Sequence, residues 1–291
     1  MRPPKFCVVE RAGLIRSWGP RWFGASVVFS CCLAVVPAAG QEPEPLEDNS
    51  FLIEEAYNQA PGVVQEISNF ARASGGSDWI YTLTQEWPLG GVRHQLSYSI
   101  PLEHHGDLET TGLGDVLVNY RFQAAGTDGG RIYVAPRLSA VLPTGRARSG
   151  RGSGTLGVQI NLPLTVALNP RFSTHWNAGA TFLPSAENLL GDRATTASFN
   201  AGGSAIWLIR PLFNLMLEAV WLRESEVVGP GATERASSWF LNPGFRWGFN
   251  CRGGLQIVTG LAYTVSLTDR DPDAVFLYLS FEHPFRRLPP Q

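Results

Sequence analysis

The sequence predicts an all-β protein, an antiparallel transmembrane β-barrel of about 12 strands with a short N-terminal helical or extended segment. Three observations predict it. Long runs of residues alternate apolar and polar side chains, the turns between runs alternate short and long, and charged residues make up only 16% of the chain while aromatics reach 11%. Successive side chains on a strand point to opposite faces, so an alternating run shows one face to hydrocarbon and the other to water.

The first 40 residues form a unit of their own. Arg2, Lys5, Arg11, Arg16 and Arg21 make a basic opening, Trp22 to Val36 is apolar, and small residues Ala38-Ala39-Gly40 precede acidic Gln41-Glu42-Pro43-Glu44. That layout reads as a signal peptide over residues 1–40, cleaved near Gly40. An uncleaved anchor and a lipoprotein acylated at Cys31 or Cys32 are the alternatives, opposed respectively by Pro37 and by bulky Phe29. The formal net charge of −2 becomes about −6 without the leader, so no basic excess suggests nucleic-acid binding. Cys251 is the one cysteine past the leader, which leaves neither a disulfide nor a cysteine-based zinc site.

Residues 41–60 are acidic and Pro-rich at first. Then Phe51 to Gln59 (FLIEEAYNQ) has the composition for two helical turns, and the whole stretch is a candidate plug. Residues 61–285 are the expected barrel and residues 286–291 a tail. Strand-like runs fall at about 62–72, 78–87, 93–103, 114–123, 131–143, 155–168, 171–183, 195–209, 213–224, 236–249, 253–267 and 274–283. In the sixth run Val158, Ile160 and Leu162 oppose Gln159 and Asn161. In the tenth, Trp239, Leu241, Phe245 and Trp247 oppose Asn242, Gly244 and Arg246.

A soluble sandwich also alternates. These runs are longer than the roughly 5–6 residues of an average soluble strand, and tilted strands need about 9–11 residues to cross a bilayer. Trp79, Trp87, Trp207, Trp221, Trp239 and Trp247 stand near run ends, as interfacial aromatics do. Short connections at Leu89, Asn169, Pro211 and Cys251 alternate with long polar ones at 104–113, 144–154, 184–194 and 225–235. Short turns of outer-membrane barrels face the periplasm, so an even strand number puts both chain ends there.

Several stretches resemble a known family. Gly112-Leu113-Gly114-Asp115 with Tyr120-Arg121-Phe122, Ala135-Pro136-Arg137-Leu138, Leu142-Pro143-Thr144-Gly145 and the opening Asn49 to Gln59 are similar to outer-membrane "transporter" proteins named for a meta-pathway of phenol degradation. The resemblance implies a barrel and passage of small organic molecules, and it brings no set of binding residues.

Chemistry is sparse. His104-His105 beside Asp107 and Glu109 could hold a metal loosely, but reads more simply as a solvated loop. His175 and Asn177 share a face, which superficially resembles the His and Asn of the outer-membrane phospholipase, but no motif supplies a serine. Arg146, Arg148 and Arg151 in one outer loop could touch lipopolysaccharide phosphates. On the face assignments, Glu86, Glu103, Asp115, Arg121, Arg137, His175, Glu218 and Arg246 point into the lumen. Glu103, Asp115, Arg121 and Arg137 come from neighbouring strands and are expected to form an inner ion-pair network.

The reading is therefore an exported outer-membrane channel or diffusion transporter for small organic solutes, aromatic ones among them, and not an enzyme. It needs no cofactor and no nucleic acid. Its expected partners are outer-membrane lipid or lipopolysaccharide, the barrel-insertion machinery and a solute. A structural or adhesion barrel with a closed lumen, and a lipid hydrolase, are the alternatives.

Overall fold

The computed structural model describes residues 45–126 and 130–285. The leader expected over residues 1–40 and the tail lie outside them. Twelve antiparallel strands close into one barrel. The first six are β1 (Val63–Ala73), β2 (Trp79–Pro88), β3 (His94–His105), β4 (Thr110–Leu113, then Val116–Phe122), β5 (Ile132–Val134, then Arg137–Leu142) and β6 (Gly157–Asn161, then Leu164–Asn169). The rest are β7 (Phe172–Glu187), β8 (Arg193–Arg210), β9 (Phe213–Gly229), β10 (Ala232–Asn250), β11 (Gln256–Ser266) and β12 (Ala274–Pro284). Each pairs with its sequence neighbour, and β12 returns to β1 with Pro284 opposite Val63 and Ala274 opposite Ala73. Closure leaves no edge, so backbone donors and acceptors are met within the wall, as hydrocarbon demands.

Three strands are interrupted, at Gly114-Asp115, Ala135-Pro136 and Leu162-Pro163. A proline cannot donate to the ladder. The break is bridged by neighbours: Phe122 N–H reaches the Pro136 carbonyl at 3.0 Å and Ala135 N–H the Pro163 carbonyl at 3.2 Å.

The alternation assigns the faces as expected. Val158, Ile160, Leu162, Trp239 and Trp247 are about half exposed on the outside, while Gln159, Asn161, Asn242 and Arg246 are buried inside. No helix among the described residues is long and apolar enough to cross a membrane.

Two expectations need correction. Strands β7 to β10 run 16 to 19 residues, beyond the ends read from alternation. The loop expected at 225–235 is instead a hairpin, with Glu226 opposite Glu234 and a tight turn at Pro230-Gly231, where Gly231 has φ of 66°. Ladder hydrogen bonds do not require an apolar face, so strands continue into water where the hydrophobic signal stops.

The second correction is at Phe51–Gln59, which is not helical but irregular and extended. Its N–H groups are taken one after another by side chains of the barrel wall, which leaves no call for the i→i−4 bonds of a helix.

Candidate functional site

Residues 45–60 run across the inside of the barrel, and the two sides of the wall treat them differently. The wall of β8 to β12 carries apolar clusters within, set among buried polar side chains such as Glu218, Asn242 and Arg246. Phe51 packs with Leu46, Ile206, Met216, Val258, Ala262, Phe276 and Tyr278, and its ring centroid lies 5.2 Å from that of Phe276 and 5.3 Å from that of Tyr278. Ile53 packs with Val220, Leu222 and Phe240. Glycine makes room for these contacts: a Cβ at Gly260 would stand 2.5 Å from the Phe51 ring and one at Gly244 2.8 Å from it.

Charged side chains fix the segment's backbone. One Glu218 oxygen accepts the N–H groups of Phe51 (3.2 Å), Leu52 (2.7 Å) and Ile53 (3.0 Å), while the other accepts from Asn242 at 2.6 Å. Arg246 donates to the Asn49 carbonyl at 2.5 Å and stands 5.2 Å above the Tyr278 ring. Arg121 donates to the Tyr57 carbonyl at 2.8 Å and to Asn58 Oδ1 at 2.9 Å. Buried charges are costly unless satisfied, and here the satisfying groups are chiefly peptide dipoles of the segment.

Neutral side chains complete the seat. Asn177 accepts from Glu54 N–H at 2.8 Å and donates to its carbonyl at 2.9 Å. Thr165 Oγ1, Gln123 and Gln95 accept the N–H groups of Ala56, Asn58 and Gln59. His175 is fully buried, with Nδ1 2.8 Å from Thr165 Oγ1 and Nε2 2.7 Å from the Asp48 carbonyl. That network assigns the Nε2–H tautomer.

The opposite wall, β2 to β6, is polar. With the segment it bounds a cavity of about 130 Å³, whose wall includes Thr82, Thr84, Ser97, Ser99, Asn119, Arg137, Gln159 and Asn161. Across this cavity Arg137 pairs with Glu54 at 2.7 Å, and Arg121 stands 3.5 Å from Glu55 and 3.7 Å from Glu86. Thr82 Oγ1, Asn119 Oδ1, Asn161 Oδ1 and Ser139 Oγ on this wall are buried with no hydrogen-bond partner among the described residues. Such atoms hydrogen-bond to whatever polar molecule stands beside them.

The eight lumen candidates are thus buried or, for Arg137, half-buried. The expected network among Glu103, Asp115, Arg121 and Arg137 does not form. The arginines pair with carboxylates of the N-terminal segment and with Glu86, whereas Glu103 stands 3.2 Å from His105. Asp115 instead ties down the outer loop, accepting from Gly145 N–H (3.0 Å) and from Ser153 N–H and Oγ–H (2.6 Å each). At the long-loop end, Arg148 pairs with Glu187 at 2.8 Å, and His104 and His105, expected in a loop, instead end β3, with His104 stacked on Trp79 of β2. Outside the spanning strands, burial raises the Asp78 carboxyl above its ordinary value, although it accepts Gly106 N–H at 2.6 Å.

The apolar seat was missed from sequence. Ile206, Met216, Val220, Leu222, Phe240, Val258 and Phe276 sit on the lumen face, and the signal for them is the local loss of alternation in β8 to β12, where consecutive residues are apolar on both faces.

With the geometry in place, the chain can be compared with known proteins. The family described as "Putative MetA-pathway of phenol degradation" matches residues 57–271. The chain belongs to that family. The match begins within the segment that lies inside the barrel and takes in most of the wall. Among solved structures, the COG4313 outer membrane channel from Pseudomonas putida F1 superposes with a TM-score of 0.63 at 13% identity, over 78% of this chain and 97% of that one. The NanC porin superposes with a TM-score of 0.50 at 9% identity, over 76% of this chain and 98% of that one. Identities this low establish the shared outer-membrane barrel fold. Among curated proteins, none is significantly similar.

Proposed function

We propose that this protein is an outer-membrane channel through which small organic solutes, aromatic ones among them, diffuse along the polar wall of β2 to β6 past the N-terminal segment. The observation that carries the reading is the division of the lumen. One wall is sealed to the segment by apolar contact, while the other presents hydroxyl and amide groups, several without protein partners, to a cavity. A solute bearing a hydroxyl or carboxylate could exchange its water for these groups, and the Arg137–Glu54 and Arg121–Glu86 pairs would bias it by charge. The family's description, which names phenol degradation, supports that solute class, and the channel and porin whose fold this barrel shares support the channel role.

One observation favours a second reading, a structural barrel with a closed lumen: residues 45–60 cross the interior and are hydrogen-bonded along their length. Planar-bilayer recordings separate the two. The channel reading predicts discrete steps of small conductance, together with swelling of proteoliposomes in phenol-sized hydroxylated solutes. A folded protein that passes neither ions nor solutes would leave only the structural reading.

A further inference from the structure

The two rims of the barrel differ in charge. On the long-loop rim both signs mix: Arg148 and Arg193 both pair with Glu187, and Arg270 stands beside Asp271. The short-turn rim carries one arginine at each of its five connections, Arg93, Arg131, Arg171 and Arg252 within the turns and Arg210 at the last position of β8. All five are exposed. The only acidic residue in the sequence of those turns is Asp128, and among the described residues no carboxylate forms an ion pair with any of the five. The sixth position around this rim is where β12 closes on β1, Phe285 N–H bonding the Gly62 carbonyl at 2.8 Å.

The arginines also share a level with outward aromatics. Arg171 adjoins Phe172, whose ring stacks on Trp207 at 5.7 Å; Arg210 lies between Trp207 and Phe213; and Arg252 follows Phe249, which stacks on Trp247 at 6.3 Å. Such amphipathic rings mark the headgroup plane of a bilayer. An arginine there reaches phosphate with its fork of N–H donors while its aliphatic stem stays beside acyl chains.

We infer that the short-turn rim is a ring-shaped binding surface for the phosphates of anionic phospholipids in the periplasmic leaflet. The spacing decides between occupants. A folded acidic partner would contact one sector of the rim, whereas these charges recur once per hairpin around the circumference, as an annulus of lipid does. The inference rests on the barrel lying in a membrane and not on solute passage.

The test uses the mature full-length chain in mixed vesicles, with association of spin-labelled phosphatidylglycerol measured against spin-labelled phosphatidylcholine. The expected preference for phosphatidylglycerol is on the order of fivefold at low salt, shrinking at high salt. Replacing all five arginines by glutamine removes it, while replacing them by lysine retains most of it. Heat-modifiable gel mobility reports folding, and the pair Arg171→Gln with Arg210→Gln serves if the fivefold variant does not fold, with a partial loss expected. Equal association of both lipids, or a preference that survives the glutamine changes, would overturn the inference. So would arginine-dependent binding of polyglutamate in detergent without any lipid preference, which would assign the rim to an acidic protein.

Discussion

The two inner walls of the barrel have the same backbone and opposite chemistry. Strands β8 to β12 present Ile206, Met216, Val220, Val258 and Phe276 to the lumen and are covered by Leu46, Phe51 and Ile53. Strands β2 to β6 present threonine, serine, asparagine and glutamine, and a cavity separates much of that wall from the segment. The difference teaches that the N-terminal segment does not fill the lumen evenly. Its first half is held against β8 to β12 by apolar burial and by Glu218 and Arg246. Its second half is bonded to Asn177, Thr165, Arg121, Gln123 and Gln95, and a cavity with polar lining remains beside β2 to β6.

The comparison can be broken at several points. The largest effect is expected at Glu218. Glu218→Leu strands three buried N–H groups at a cost of roughly 1–3 kcal/mol each, so the segment should leave its seat, with conductance rising several-fold and proteolysis near residues 50–60 accelerating. Phe51→Ala removes the apolar anchor at a cost of about 3–5 kcal/mol and should have the same phenotype less strongly. Unchanged conductance in both variants would mean that the seat does not control the passage.

On the polar wall the expected effects are smaller and of opposite sign. Ser99→Leu should lower solute flux, by about threefold if hydrogen bonding along the wall guides entry, without altering protease sensitivity of the segment. Arg137→Gln frees Glu54 and should shift ion selectivity toward cations, read as a reversal-potential change in a salt gradient. A shift toward anions would contradict the pairing.

Most of the fold was legible because the membrane imposes a simple rule on each strand. Val158, Ile160 and Leu162 must meet lipid, and Gln159 and Asn161 must not, so the register follows from the residues themselves. The hairpin at Val227–Thr233 was not legible, since in water nothing enforces alternation. The N-terminal segment defeated local reasoning for a different reason. FLIEEAYNQ has helical composition, yet its donors and acceptors are claimed by Glu218, Asn177 and Arg121, residues 64 to 167 positions away. Burial of the eight charged or polar candidates follows from the strand faces, but the partners of Arg121 and Arg137 do not, because Glu54 and Glu55 approach from a segment with no strand register.

The most direct test of the divided lumen is cysteine accessibility in a Cys251→Ser background. The account predicts that Ser99→Cys and Thr84→Cys react with a small charged thiol reagent and lose current when modified. Ile206→Cys and Val258→Cys should stay unreactive until Glu218 is also replaced by leucine. Equal reactivity of the two walls in the otherwise unaltered protein would contradict it.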